Sequence, residues 1–106
     1  MDNLNLIELT LTCNSWQEAQ KISDILLEKK LIGSVEFVEI KPKYWRQRQL
    51  DEAHNICLIM QSLNEYFDTI EAEVKEIYTN KMPILYATTM TQNSKDAVDL
   101  LLDKVR

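Results

Sequence analysis

The chain has 106 residues, of which 45% are apolar, with one glycine, two prolines and a net charge of −5. That length suits one domain, typically about 100–200 residues, spanning residues 1–106, with a modest core that association between copies would enlarge. The single glycine excludes G-x-G-x-x-G and Walker phosphate loops, and the acidic balance excludes the broad basic face that gripping nucleic acid requires.

The start, Met1-Asp2-Asn3, is polar and acidic and lacks the basic and apolar regions of a secretory signal. No apolar run is long enough to span a bilayer. These features lead to the expectation of a cytoplasmic protein with reduced thiols, away from any membrane.

Ile7, Leu9, Leu11 and Cys13 alternate with Glu8, Thr10 and Thr12, a period-two strand with one buried face. Ser15 and Glu18 then form a capping box. Trp16, Ala19, Ile22, Leu26 and Leu27 follow at helical spacing, with Lys29 and Lys30 in the last turn, where cations suit the helix dipole. Gly33 is expected to stop this helix through a positive φ.

The second strand carries Val35 and Phe37 in one phase and Val38 and Ile40 in the other, which predicts a bulge or a strand covered on both faces. Pro42 lacks an amide, so this end is an edge or has left the sheet. The return run Ile56-Cys57-Leu58-Ile59-Met60 is apolar throughout and therefore calls for cover on both faces. Helices cover one face of a small sheet, which leaves the other to a partner, most simply another copy of the chain.

Leu63, Phe67, Ile70, Val74 and Ile77 make the stripe of a second helix. A strand over Met82–Thr89 follows, then a last helix from near Ser94 with Ala97, Val98, Leu101, Leu102 and Val105 on one face. The order predicts an α+β fold: a ferredoxin-like βαββαβ core with a C-terminal helix and a long hairpin between the second and third strands.

The hairpin tip is basic and aromatic. Lys41, Lys43, Arg46 and Arg48 lie in one acid-free window, while the remaining eight cations face seventeen acids, a balance of −9.

Tyr44-Trp45-Arg46-Gln47-Arg48-Gln49-Leu50-Asp51-Glu52, running on through Ile56-Cys57-Leu58-Ile59-Met60-Gln61-Ser62, aligns without a gap to the aromatic hairpin and third strand of the CutA family, the divalent-cation tolerance proteins. Thr12-Cys13 and Leu26-Leu27-Glu28-Lys29-Lys30-Leu31 are similar as well, and the resemblance covers Asn5 to Arg106. The chain departs from the family pattern at several places. Ser34 replaces the usual cysteine, Arg48 a glycine, Asn55 a glutamate, and Gln61-Ser62 a lysine-threonine pair. The family's His-Pro-Tyr-Glu-x-Pro-Glu signature falls on Tyr78-Thr79-Asn80-Lys81-Met82-Pro83-Ile84, where only the second proline remains. The resemblance implies a homotrimer whose hairpins wrap neighbouring subunits, and a non-enzymatic, signalling-like role in the response to metal ions such as copper, with metal binding weak or lost.

The metal-ligating residue types are Cys13, His54 and Cys57. His54 and Cys57 differ by three positions, which points them to opposite faces of a regular strand. No CxxC or HxxxH spacing occurs, and buried free cysteines usually act as small apolar residues. No metal ligand set and no cofactor is assigned. At the tip, the cations could grip a small anion or nucleotide with Tyr44 or Trp45 stacked on it. Assembly is the stronger reading, with the aromatics plugged into a neighbour and the cations on its acidic surface.

An intersubunit ligand site would draw on Ser34, Tyr44, Trp45, Arg46, Asn55 and Tyr78, with Asn80 and Lys81 nearby. Catalysis finds no serine with a base and an orienting acid, and Asp51-Glu52 reads as a turn. The loop Thr12-Cys13-Asn14-Ser15 lacks the arginine of an acylphosphatase-like anion cradle, and the third strand lacks the stacking aromatics of an RNA-recognition module. The expected partners are copies of the chain itself, with a divalent metal ion or small anionic ligand as the ligand classes. The alternatives are a small-ligand sensor of the PII or ACT type and a purely structural trimer.

Overall fold

The computed structural model describes residues 5–78 and 82–106. In chain order the elements are β1 (Leu6–Cys13), α1 (Trp16–Glu28), β2 (Ser34–Ile40), β3 (Lys43–Arg46), β4 (Gln49–Glu52), β5 (Asn55–Leu63), a 3-10 turn (Asn64–Tyr66), α2 (Phe67–Ile77), β6 (Leu85–Met90) and α3 (Lys95–Val105). Four strands form one antiparallel sheet in the order β2-β5-β1-β6, and β3-β4 form a separate two-stranded ribbon. The large sheet has the expected ferredoxin-like arrangement, with β1 and β5 central and β2 on an edge. Asp51 and Glu52, expected on a turn, lie in β4.

Local chemistry accounts for the ends of α1. Ser15 Oγ accepts from the Glu18 amide at 3.2 Å, while the Glu18 carboxylate accepts from the Asn14 amide at 3.0 Å. The reciprocal bond of the capping box therefore falls one residue early. At the other end the Leu31 amide donates to Leu26 O and the Lys30 amide to Leu27 O, the paired bonds of a Schellman stop. Lys30, with φ 57°, takes the left-handed position there, and no glycine has positive φ. The stop expected of Gly33 is thus made three residues earlier by a lysine.

Gly33 is needed for a different reason. A Cβ built on it would stand 2.4 Å from Leu101 Cδ1 of α3. Its bare backbone lets α3 settle on the sheet.

β2 and β5 pair without interruption from Ser34↔Gln61 to Ile40↔Asn55. No bulge occurs. The phase change arises because both faces carry apolar side chains: Val35 and Phe37 lie on the helix side, Val38 and Ile40 on the other. Phe37 meets Trp16 of α1 with ring centroids 5.7 Å apart. β6 begins at Leu85, later than the expected Met82, which follows from Pro83 having no amide to donate to a ladder.

The helix side of the sheet holds the larger core. Ile7, Leu9 and Leu11 of β1 and Ile56, Leu58 and Met60 of β5 bury against Ile22 and Leu26 of α1 and Ile70 and Val74 of α2. Lys29 and Glu73 tie the two helices by an ion pair at 2.6 Å. On the reverse side α3 covers one end only, where Leu6, Leu63, Leu101 and Val105 form a second cluster. Leu63, expected on the stripe of α2, belongs to β5 and this reverse cluster, because the strand runs on to it before the chain turns.

Candidate functional site

The hairpin tip is built by register. In the ribbon Lys43 opposes Glu52, Tyr44 opposes Asp51, Trp45 opposes Leu50 and Arg46 opposes Gln49. Period-two alternation puts Trp45 and Leu50 on one face and Tyr44, Arg46 and Asp51 on the other. Two cations are matched within the ribbon: Lys43 with Glu52 at 3.4 Å and Arg46 with Asp51 at 3.5 Å. The sequence window without acids hides this, because the acids arrive on the returning strand. Arg48 carries no ion pair among the described residues.

Gln47 and Arg48 close the ribbon with φ of 49° and 67°. These are the two positive-φ positions of a type I′ turn, which favours Asn-Gly. Trp45 is 72% exposed and Leu50 69%, and among the described residues no other element packs substantially on the ribbon.

The six residues expected to share a ligand site do not meet within one chain. Ser34 opens β2 and Asn55 opens β5, at opposite ends of their ladder, about 20 Å apart at strand rise. Tyr44, Trp45 and Arg46 lie out on the ribbon. Tyr78 caps α2, and its hydroxyl donates to Thr12 O at the end of β1. Burial, then the charge of Glu18 and the nearby Cys13, push the Tyr78 phenol up to about 12. Asn80 and Lys81 lie outside the described residues.

Cys13 and Cys57 are free and buried. Cys57 pairs with Thr12 and Cys13 with Ile56, so the two thiols are on opposite faces of the sheet. Burial, then Glu18 and Cys57, push the Cys13 thiol up to about 12, and burial also raises that of Cys57. A protonated thiol is a poor nucleophile and a poor metal ligand. Among the described residues there is no group of three or more His, Cys, Asp and Glu able to hold a metal ion.

A cavity of about 250 Å³ opens where the hairpin leaves the body, bounded by Asn14, Trp16, Glu39, Lys41, His54 and Ile56 among others. Sequence reading missed it, because Lys41 and His54 look unrelated along the chain. The Ala53 amide donates to Pro42 O at 3.1 Å, which closes the neck of the hairpin and brings their flanking residues together. The usable signal was the hairpin register.

Comparison with known proteins gives a consistent result. Residues 7–103 match the family model described as CutA1 divalent ion tolerance protein. A divalent-cation tolerance protein CutA of Archaeoglobus fulgidus is 28% identical over 95 residues, covering 90% of this chain and 93% of that protein. The solved structure of the A. fulgidus protein, described as periplasmic, superimposes with a TM-score of 0.90 at 27% identity, covering 95% of this chain and 99% of that one. The CutA1 structure from Ehrlichia chaffeensis has the same fold, with a TM-score of 0.92 at 20% identity and 99% of each chain covered. With the hairpin and all but the first residue of the split βαβ sheet inside the matched span, the chain belongs to the CutA1 divalent ion tolerance family.

Proposed function

We propose that the chain acts as a homotrimer in divalent metal-ion tolerance, without catalysing a reaction and with weak or no metal binding of its own. The observation that carries the assembly is the reverse face of the sheet. α3 covers one end of it, while Val38 and Tyr86, 41% and 56% exposed, flank Cys57 and Ile59 on the remainder. A second copy of the same face, with the exposed Trp45 and Leu50 reaching onto a neighbour, would remove this apolar surface from water. The family membership supports the tolerance role. The raised cysteine thiols and the scattering of the acids support weak metal affinity. Two free cysteines in so small a chain support a reducing, cytoplasmic location.

A second reading, a small-ligand sensor with an intersubunit anion or nucleotide site, draws support from Arg48, which lies near Trp45 and Arg46 on the tip and has no ion pair among the described residues.

Native mass spectrometry of protein purified without added ligand, then repeated with copper or zinc at micromolar concentration, tests both. The expected spectrum is a trimer with no stoichiometric metal. A stable monomer would sink the assembly reading, stoichiometric metal uptake the weak-binding reading, and a retained nucleotide would favour the sensor.

A further inference from the structure

The cavity at the neck of the hairpin is small beside the roughly 300–1,000 Å³ of sites that hold drug-sized molecules. Its chemistry is mixed in a specific way. Glu39 brings a carboxylate, Lys41 an ammonium, and His54 an imidazole that offers an N–H in either protonation state. Trp16, 45% exposed, supplies an aromatic wall, and the buried Ile56 an apolar one. Asn14 adds an amide that can donate or accept.

Although Glu39, Lys41 and His54 line one cavity, none has an ion-pair partner within 4.0 Å among the described residues. All three are solvent-exposed side chains, so charges of both signs border one opening without pairing with each other. A simple anion entering here meets Glu39, and a simple cation meets Lys41. A molecule carrying both charges a few bonds apart satisfies both.

From this juxtaposition we infer that the cavity binds a small zwitterion of the α-amino acid class. Its ammonium sits against Glu39 and the Trp16 face, where the ring quadrupole attracts a cation, and its carboxylate against Lys41 and His54. Neither the trimer nor any metal is needed for this site, so it stands or falls separately from the proposed tolerance role.

The chain has two tryptophans, Trp16 and Trp45. A Trp45→Phe variant therefore makes fluorescence a report on the cavity wall alone. The probes are L-serine, L-glutamine, L-leucine and L-lysine, set against ethylamine and acetate as single-charge controls. The expected result is saturable quenching or shift by at least one amino acid at millimolar concentration or below. Ethylamine and acetate should bind about tenfold more weakly or worse, because each leaves a partner group unpaired.

Glu39→Gln and Lys41→Met should each weaken the amino acid about tenfold, with circular dichroism and oligomer state unchanged. Equilibrium dialysis of the unsubstituted chain with radiolabelled amino acid should give the same affinity. No saturable response to any of the four amino acids overturns the inference. So does equal binding of a single-charge control, or unaltered affinity in Glu39→Gln, and so does a Trp16 signal that tracks protein concentration alone, which would mean that a second copy fills the cavity.

Discussion

The two ends of the long hairpin differ in composition, apolar at the base and basic-aromatic at the tip, and are held by different forces. At its base, β2 and β5 sit in the sheet, and Leu58 and Met60 are fully enclosed by α1, α2 and β1. At its tip, β3 and β4 pack mainly on each other among the described residues, with two exposed ion pairs and an apolar Trp45–Leu50 pair open to water. Exposed ion pairs contribute little to stability, and an isolated two-stranded ribbon is marginal in water. The elongated outline, 51 × 26 × 21 Å with a radius of gyration of 14.9 Å, reflects that overhang; a compact chain of this length would have about 13 Å. The base is therefore stabilised by its own chain, whereas the tip has apolar surface left over for contact.

Substitution of the matched leucines gives the largest contrast. Leu58→Ala should lower unfolding free energy by about 2–5 kcal/mol, measured by urea titration, because it opens a cavity in a sealed core. Leu50→Ala should change it by less than about 0.5 kcal/mol when followed at concentrations where the chain is monomeric, yet weaken self-association measured by sedimentation. Equal effects of the two on unfolding would break the division between base and tip.

Alkaline pH should act through Cys13 at the end of β1 and Tyr78 at the cap of α2, in the body beside the hairpin base. Cys13 is raised to about 12 from 9.0 and Tyr78 to about 12 from 10.0. Both are acids whose folded form holds its proton longer than the unfolded chain does. Their contribution to stability is complete below pH 9 and is lost as pH climbs toward 12. Cys13→Ala should flatten the fall in the urea midpoint between pH 9 and pH 11. An unchanged slope would mean that Cys13 does not set it.

Gly33→Ala should destabilise by about 1 kcal/mol. The new methyl meets the movable end of Leu101, which can swing aside only by loosening α3. Hydrogen exchange should show the loss confined to α3 and its seat. In the opposite direction, Arg48→Gly should stabilise the ribbon by up to about 1 kcal/mol, since the left-handed backbone there strains a residue with a Cβ and not glycine. A thermal midpoint that falls instead would show that the Arg48 side chain makes a contact worth more than its strain.

Most of the sheet was legible from pattern. The alternation of β1 and the unbroken apolar run of β5 identified the two central strands, and Ser15 and Ser94 marked helix starts that their side-chain caps occupy. The misreadings cluster where one residue type serves two purposes. Gly33 resembled a positive-φ stop and proved to be a point of close approach. Val38 and Ile40 left a bulge and a two-faced strand both open, since a strand apolar on both faces has no single phase to read, and the unbroken register favours the second. Leu63 fitted a helical stripe equally well by spacing. The candidate site was less legible still. Ser34 and Asn55 are parted by the length of a strand, whereas Trp16, Glu39, Lys41 and His54, scattered in sequence, gather at one opening.

The sequence by itself determined the order of elements, the ferredoxin-like core and the presence of a long basic-aromatic hairpin, because periodicity and capping act over a few residues and leave their mark there. Tertiary structure alone decided which cations at the tip are neutralised, how far α3 covers the reverse of the sheet, and which charges share a cavity. Those depend on strand register and the reach of side chains across elements, distances that no local pattern along the chain encodes.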